Sequence, residues 1–157
     1  MHALQQDNSL PELTSQTLFT ACSQAHNLFD SANYNDVDPY ILASLIYQET
    51  RWQKDAVSKV KACGLTQVIG KYIGVSCQTL IDSPDLAIES GAFVLSNYLD
   101  HTNGNLDKAL QCYSTGYKCS YPKYSRSIIK RAKKIKQKHT LIIATINQGI
   151  KYVSTIY

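Results

Sequence analysis

One acidic side chain stands on the apolar face of a predicted helix, where it could do acid–base chemistry. Apolar residues repeat at helical spacing from Ile41 to Ile46, and Glu49 follows three residues later on the same face. Burial there would remove water from the carboxylate and raise its pKa, as a proton donor near neutral pH requires. The alternative is an ordinary helix-end carboxylate that turns to solvent or pairs with Arg51 or Lys54.

The elements that must position Glu49 are well marked. Asp38 stands where an N-cap carboxylate accepts backbone N–H groups, and Pro39 takes the first helical position. We therefore predict a helix that begins at Pro39 and closes around Trp52. The following segment, residues 56–69, loses helical spacing and contains Gly64, which favours a short hairpin or an irregular loop.

The rest of the chain is mostly helical in pattern. We predict a polar lead-in at residues 1–14, one domain at 15–140 that ends in a basic helix, and a tail at 141–157 whose last residues, 150–157, form a strand or a disordered end. Apolar repeats and helix-start signals predict further helices that begin near Ser15, Ser83, Asn105 and Pro122. The expected fold is mainly α, with a small β or irregular hairpin beside the Glu49 helix.

Charge is unevenly distributed along the chain, whose formal net charge is +4. Up to Tyr117, six Lys and Arg stand against all twelve Asp and Glu, whereas from Lys118 onward there are ten Lys and Arg and no acid. A basic end on an acidic body favours an anionic wall or membrane surface as partner, contacted through Lys130–Lys138. The alternative is a solvated helix face. Nucleic acid is not expected, because aromatic residues do not interleave the basic ones.

The five cysteines, Cys22, Cys63, Cys77, Cys112 and Cys119, leave at least one thiol unpaired within the chain. Buried free thiols are the default expectation, with one or two disulfides as the alternative for a protein that works outside the cytoplasm. No CxxC motif occurs and no histidine is spaced to pair with a cysteine, so neither a metal site nor a cofactor is expected.

Three segments follow Glu49-Thr50 in a fixed order. They read Ala56-Val57-Ser58, Gly64-Leu65-Thr66-Gln67 and Tyr113-Ser114-Thr115-Gly116. The ordered set resembles the soluble lytic transglycosylase family, whose motifs are Glu-Ser, Ala-x-Ser, Gly-Leu-Met-Gln and Tyr-Asn-x-Gly and whose fold is that of goose-type lysozyme. The similarity covers roughly residues 20–135, and the stretch from Leu110 to Tyr113 is most similar to transglycosylases of type IV secretion systems and some phages.

This resemblance implies cleavage of the β-1,4 bond between N-acetylmuramic acid and N-acetylglucosamine in peptidoglycan. Glu49 would protonate the glycosidic oxygen and then activate the muramic C6 hydroxyl, which gives a 1,6-anhydro sugar without a second carboxylate. Tyr113 would orient Glu49 through its hydroxyl. The expected substrate-binding residues are Thr50, Ser58, Gly64, Leu65, Thr66, Gln67, Tyr113 and Ser114.

The chain departs from the family motifs at three of these positions. Thr50 replaces Ser but keeps a hydroxyl, Thr66 replaces a Met that packs against the sugar, and Ser114 replaces an Asn. We therefore expect a smaller or more polar saccharide subsite. A hydrolytic lysozyme of the same fold, a non-catalytic glycan-binding or virion module, and a basic nucleic-acid-binding protein stay open as alternatives.

The expected setting is the bacterial cell wall. The N-terminus shows no basic segment followed by an apolar one, as a secretory signal would. We therefore expect a monomeric phage lysin or virion-associated enzyme that acts on peptidoglycan strands in the periplasm. A secretion-system transglycosylase whose leader has been removed is the second interpretation.

Overall fold

The computed structural model describes the backbone of residues 14–156 and the side chains of residues 14–141 and 143. Within this part the helices are α1 Ser15–Ser23, α2 Ala25–Tyr34, α3 Pro39–Thr50, α4 Cys77–Asp82, α5 Pro84–His101, α6 Leu106–Thr115 and α7 Pro122–Ile156, with 3-10 turns at Gly70–Tyr72 and Gly116–Lys118. The predicted mainly α, lysozyme-like class is confirmed. Apart from Thr14, the predicted polar lead-in lies outside the described residues.

Helix α3 runs through the centre of the molecule. The Asp38 carboxylate accepts from the backbone N–H groups of Tyr40 and Ile41, as an N-cap should. Leu42 and Leu45 are fully buried among α2, α5 and α7, which all contact α3. The helix ends at Arg51, whose left-handed backbone (φ 52°) turns the chain sharply away.

The segment after α3 is irregular, as predicted. Cys63 forms isolated antiparallel bridges with Val57 on one side and Val68 on the other, so the chain folds back twice without forming an extended sheet. Gly64 has a left-handed backbone (φ 70°), and a Cβ there would lie 2.7 Å from the Leu80 carbonyl oxygen. Only glycine fits this combination of conformation and close approach.

Three expectations about the other elements need correction. The first predicted helix is two helices, separated at Gln24. Helix α4 was not predicted, because its six residues are too short to show an apolar repeat. Helix α7 continues without a break through position 141 to Ile156, so the backbone is helical where a strand or disordered end was expected. No helix in the described part of the chain is long and apolar enough to cross a membrane.

Four of the five cysteines form disulfides, so the expectation of buried free thiols is wrong for them. Cys63 pairs with Cys77, and Cys112 pairs with Cys119. The unpaired thiol belongs to Cys22, which is exposed on α1. The sequence could not reveal this pairing, because each bond joins a helix residue, Cys77 or Cys112, to a residue outside the helices, and depends on how the fold brings the two together.

Candidate active site

A cleft of about 1050 Å³ opens beside the C-terminal end of α3. One wall is the irregular segment from Ser58 to Ile73, and the other is the end of α6 with the turn that follows it, residues 113–117. Among the described lining residues, Glu49 is the only acid and Lys71 the only lysine or arginine. The predicted carboxyl therefore lies in the wall of a large cleft.

The Glu49 carboxyl is held in the wall of this cleft by a tyrosine from α7. The Tyr124 hydroxyl donates a hydrogen bond to Glu49 Oε1. Burial raises the pKa of Glu49 above its ordinary value of 4.5, and the bond from Tyr124 offsets part of that rise. A raised pKa is the direction that a carboxyl acting as a proton donor requires.

Tyr113 was predicted to orient Glu49 through its hydroxyl, but the structure shows no hydrogen bond between the two described side chains. Its hydroxyl donates to the backbone carbonyl of Thr66 at 2.9 Å. Burial, together with the nearby Glu49 charge, holds the pKa of Tyr113 well above its usual value, so the phenol keeps its proton. The tyrosine that orients Glu49 is therefore Tyr124, and Tyr113 instead fixes the turn that carries Thr66.

Tyr124 was not predicted as a site residue, although the sequence pattern indicated that its side chain is buried. It shares the apolar side of the basic helix with Ile128 and Ala132, and all three are buried. That pattern predicts packing and does not distinguish a core tyrosine from one that reaches a carboxyl 75 residues away.

Two of the predicted binding residues serve the framework. The Thr50 hydroxyl donates to the carbonyl oxygens of Ile46 and Leu65, at 3.2 and 3.0 Å, and so ties the end of α3 to the following turn. The Leu65 side chain is fully buried in the hydrophobic core. Neither residue lines the cleft, and their contact with a sugar stays a prediction.

Thr66 and Gly64 are also turned away from the cleft. The Thr66 side chain is 0% exposed, and its hydroxyl donates to the Ala87 carbonyl in α5 at 2.5 Å. It packs so closely on α5 that a Cβ at Gly91 would lie 2.4 Å from Thr66 Cγ2. The backbone N–H of Gly64 already donates to Ala56. Neither residue lines the cleft, and their contact with the saccharide likewise stays a prediction.

Ser58, Gln67, Tyr113 and Ser114 do line the cleft. Gln67 has a left-handed backbone (φ 52°), and its side-chain amide donates to the carbonyls of Ala56 and Gly64 at 2.9 and 3.1 Å. The Ser58 hydroxyl accepts from the backbone N–H of Ala62. These bonds hold one wall of the cleft in shape. Ser114 is exposed at the opposite wall and is free to meet a ligand.

Helix α7 is fastened to α3 next to the site. The Arg131 guanidinium donates to Gln48 Oε1 and to the Ser44 carbonyl, and it lies 4.4 Å from the centre of the Tyr47 ring. One turn earlier, the Ser127 hydroxyl donates to the same Gln48 oxygen. Because these contacts set the rotation of α7 on α3, they keep the Tyr124 hydroxyl directed at Glu49.

A mainly α domain with one carboxyl at the end of a buried helix, in the wall of a large cleft, belongs to the lysozyme-like class of folds. The family model described as Transglycosylase SLT domain matches residues 27–139, so the chain belongs to this family. The solved structure of an inactive mutant of the lytic transglycosylase Slt from Pseudomonas aeruginosa is similar, with 28% identity and a TM-score of 0.53. The match covers 65% of this chain and 17% of that chain.

Proposed function

We propose that the protein is a peptidoglycan lytic transglycosylase that cuts the β-1,4 bond between N-acetylmuramic acid and N-acetylglucosamine with Glu49 as its single acid and base. The observation that carries the proposal is a partly buried carboxyl with a raised pKa in a cleft of about 1050 Å³ within a transglycosylase domain. Glu49 is partly buried, its pKa is raised, and the Tyr124 hydroxyl holds one oxygen in place.

The chemistry needs one carboxyl in two protonation states. Protonated Glu49 gives its proton to the glycosidic oxygen as the bond to muramic C1 breaks, and the sugar's own N-acetyl oxygen stabilises the cation at C1. The resulting Glu49 carboxylate then takes the proton of the muramic C6 hydroxyl, whose oxygen bonds to C1. The anhydro ring closes, no water is consumed, and Glu49 ends protonated again.

A pair of matched variants tests whether the protein is a catalyst. Glu49→Gln keeps the shape and an acceptor for Tyr124 but cannot donate a proton, whereas Glu89→Gln makes the same change at an exposed position of α5. We expect wild type and Glu89→Gln to clear a peptidoglycan suspension and Glu49→Gln to lose at least a hundredfold in rate. Equal clearing by all three proteins, or by none, would refute the Glu49 mechanism and favour the non-catalytic glycan-binding module.

We place the site of action outside the reducing cytoplasm, at the cell wall. Two disulfides support this, because such bonds persist in oxidising compartments. Export of the protein to the periplasm of a Gram-negative host should cause lysis that depends on Glu49, and cytoplasmic expression should not. The phage or virion-associated setting, the secretion-system alternative and the monomeric state stay predictions.

The anionic-surface partner also stays a proposal, with a set of residues that overlaps Lys130–Lys138 only in part. Within Lys130–Lys138, Arg131 binds α3, and Lys136 lies 3.3 Å from Asp38 and over the Tyr40 ring. The outward stripe instead consists of Lys123, Arg126, Lys130 and Lys133, all exposed. Anionic phospholipid vesicles should bind wild type in a salt-dependent way and bind a charge-neutral variant of these four residues less. Equal binding by both proteins would show that these four residues do not form a docking surface for anionic lipid.

A further inference from the structure

One large aromatic ring stands in the cleft without joining the core. Tyr117, in the 3-10 turn after α6, lines the cleft and is 76% exposed. The buried Tyr124, by contrast, is 7% exposed. An exposed aromatic ring leaves apolar surface in water, so the folded chain gains little stability from it. Core packing therefore does not explain a tyrosine at this position.

The ring is nevertheless held in a defined orientation. Two rings on α5 meet it edge-on: Tyr98 at a centroid distance of 5.6 Å and His101 at 4.9 Å, with interplanar angles of 70° and 78°. These perpendicular contacts are favourable for aromatic pairs and leave most of the Tyr117 ring open.

The backbone that carries Tyr117 is also restrained. The disulfide between Cys112 and Cys119 closes the segment on both sides of it. Within the segment, the Cys119 N–H donates to the Gly116 carbonyl at 3.0 Å, and the Ser120 N–H donates to the Thr115 hydroxyl at 3.2 Å. A ring fixed before the ligand arrives loses little conformational entropy on binding.

The opposite wall carries a second exposed tyrosine with different surroundings. Tyr72 is 74% exposed, but the Lys71 ammonium lies 4.8 Å from its ring centre. A cation over the ring covers one of its two faces, so less of this ring is open to a ligand. Tyr117 is therefore the better candidate for an open aromatic platform.

We infer that Tyr117 is a sugar-stacking residue that binds the apolar face of one pyranose ring of the glycan and so defines a subsite of the cleft. The axial C–H bonds of a β-linked glucose-type ring form such a face, and they meet the negative face of an aromatic ring favourably. The inference rests on the proposed function, since it assumes that the cleft takes N-acetylated glycan.

Binding measured without turnover tests it. In the Glu49→Gln protein, we would titrate soluble glycan strands prepared from peptidoglycan and compare Tyr117→Ala, Tyr117→Phe and Tyr34→Ala. Tyr34 is an equally exposed tyrosine outside the cleft lining. We expect Tyr117→Ala to weaken binding about fivefold to tenfold, with the other two variants within about twofold of the parent.

Several outcomes would overturn the inference. Unchanged affinity of Tyr117→Ala would do so, and so would a loss in Tyr117→Phe equal to that in Tyr117→Ala, since the hydroxyl and not the ring face would then matter. In the Glu49-intact enzyme, Tyr117→Ala should raise KM and leave kcat within about twofold; a fall in kcat alone would mean that the residue only supports the fold. Failure of the Glu49→Gln parent to bind glycan would instead overturn the proposed function, and this inference with it.

Discussion

Two opposing effects act on the pKa of the Glu49 carboxyl. Burial favours the protonated form and raises its pKa, while the hydrogen bond from Tyr124 favours the charged form and lowers it. A carboxyl that must first donate and then accept a proton needs such a balance. Tyr113 does not bond to this carboxyl; its hydroxyl donates a hydrogen bond to the Thr66 carbonyl.

Replacement of Tyr124 should therefore shift the pH dependence of activity. Tyr124→Phe removes the bond that lowers the pKa of Glu49, so the pKa rises further, and the loss of activity at high pH should move to higher pH. The maximal rate should fall about tenfold, because one carboxyl oxygen is no longer held. The pH profile of kcat/KM measures both effects.

Tyr113→Phe is the matched control, since it removes a phenol that does not bond to Glu49. Its high-pH limb should stay where wild type has it. If the limb of Tyr124→Phe stayed in place or moved to lower pH, Tyr124 would not be the residue that tunes Glu49.

The raised pKa of Glu49 also lowers stability at neutral pH. The folded protein binds this proton more tightly than the unfolded chain, so stability is greatest below the unfolded pKa of about 4.5 and is lost as pH rises through the folded pKa. Glu49→Gln should therefore raise the free energy of unfolding by about 1 kcal/mol at pH 7, and the gain should vanish below about pH 4. Urea unfolding across pH measures this, and a gain independent of pH would contradict the electrostatic cause.

At the scale of elements, the active-site turn is fastened to α5. Thr66 is enclosed between the turn and the helix, so Gly91 supplies the space that any larger residue would fill. The family Met at position 66 is replaced here by a residue that packs inward. The Thr66 hydroxyl bonds to the Ala87 carbonyl of α5, and the smaller or more polar saccharide subsite stays a prediction.

Gly91→Ala tests this packing. Alanine favours a helix over glycine by about 1 kcal/mol, but its Cβ would overlap the buried Thr66 side chain, and overpacking costs about 1–3 kcal/mol. We expect a net loss of stability in thermal unfolding. Asn97→Ala, at an exposed position of the same helix, is the control and should be neutral or slightly stabilising. A stabilised Gly91→Ala protein would show that the turn is not held as described.

The two disulfides each close one wall of the cleft. Cys63–Cys77 spans 14 residues and encloses the turn at Gly70–Tyr72, and Cys112–Cys119 spans 7 residues and encloses Tyr117. Loops of this length stabilise a fold by about 2–3 kcal/mol each in the chain-entropy picture. Reduction of either disulfide should therefore loosen one wall of the cleft.

Paired replacement of Cys112 and Cys119 by Ser should lower the free energy of unfolding by about 2 kcal/mol and weaken glycan cleavage. Cys22→Ser, at the exposed free thiol, should change neither quantity. Denaturant unfolding and thiol counting on the unreduced protein check both statements. More than one reactive thiol in the unreduced wild type would contradict the pairing.

For the molecule as a whole, features that depend on neighbouring residues could be predicted from the sequence, whereas contacts between remote segments could not. Asp38, Pro39 and the apolar repeat act within one helix, so they predicted α3 and the burial of Glu49 correctly. The side-chain directions at Thr66 and Gln67 depend on left-handed backbone at Gly64 and Gln67, which alternation patterns do not reveal. Their roles could therefore not be read from motif order alone.

Contacts between remote segments were equally hidden. Tyr124 reaches Glu49 only because Arg131 and Ser127 set the rotation of α7 on α3, and no local pattern encodes that docking. The uneven charge of the chain was visible from the start. The sequence did not reveal which Lys and Arg side chains of α7 contact α3 and which face solvent, because this depends on how α7 packs on α3.

Mass spectrometry of the muropeptides released from purified peptidoglycan tests the central claim most directly. If Glu49 acts as acid and then as base on the C6 hydroxyl, wild type and Glu89→Gln release 1,6-anhydro ends, and Glu49→Gln releases none. Reducing ends from the wild type would mean that water attacks and that the enzyme is a hydrolytic lysozyme. Anhydro ends from Glu49→Gln would contradict the assignment of Glu49 itself.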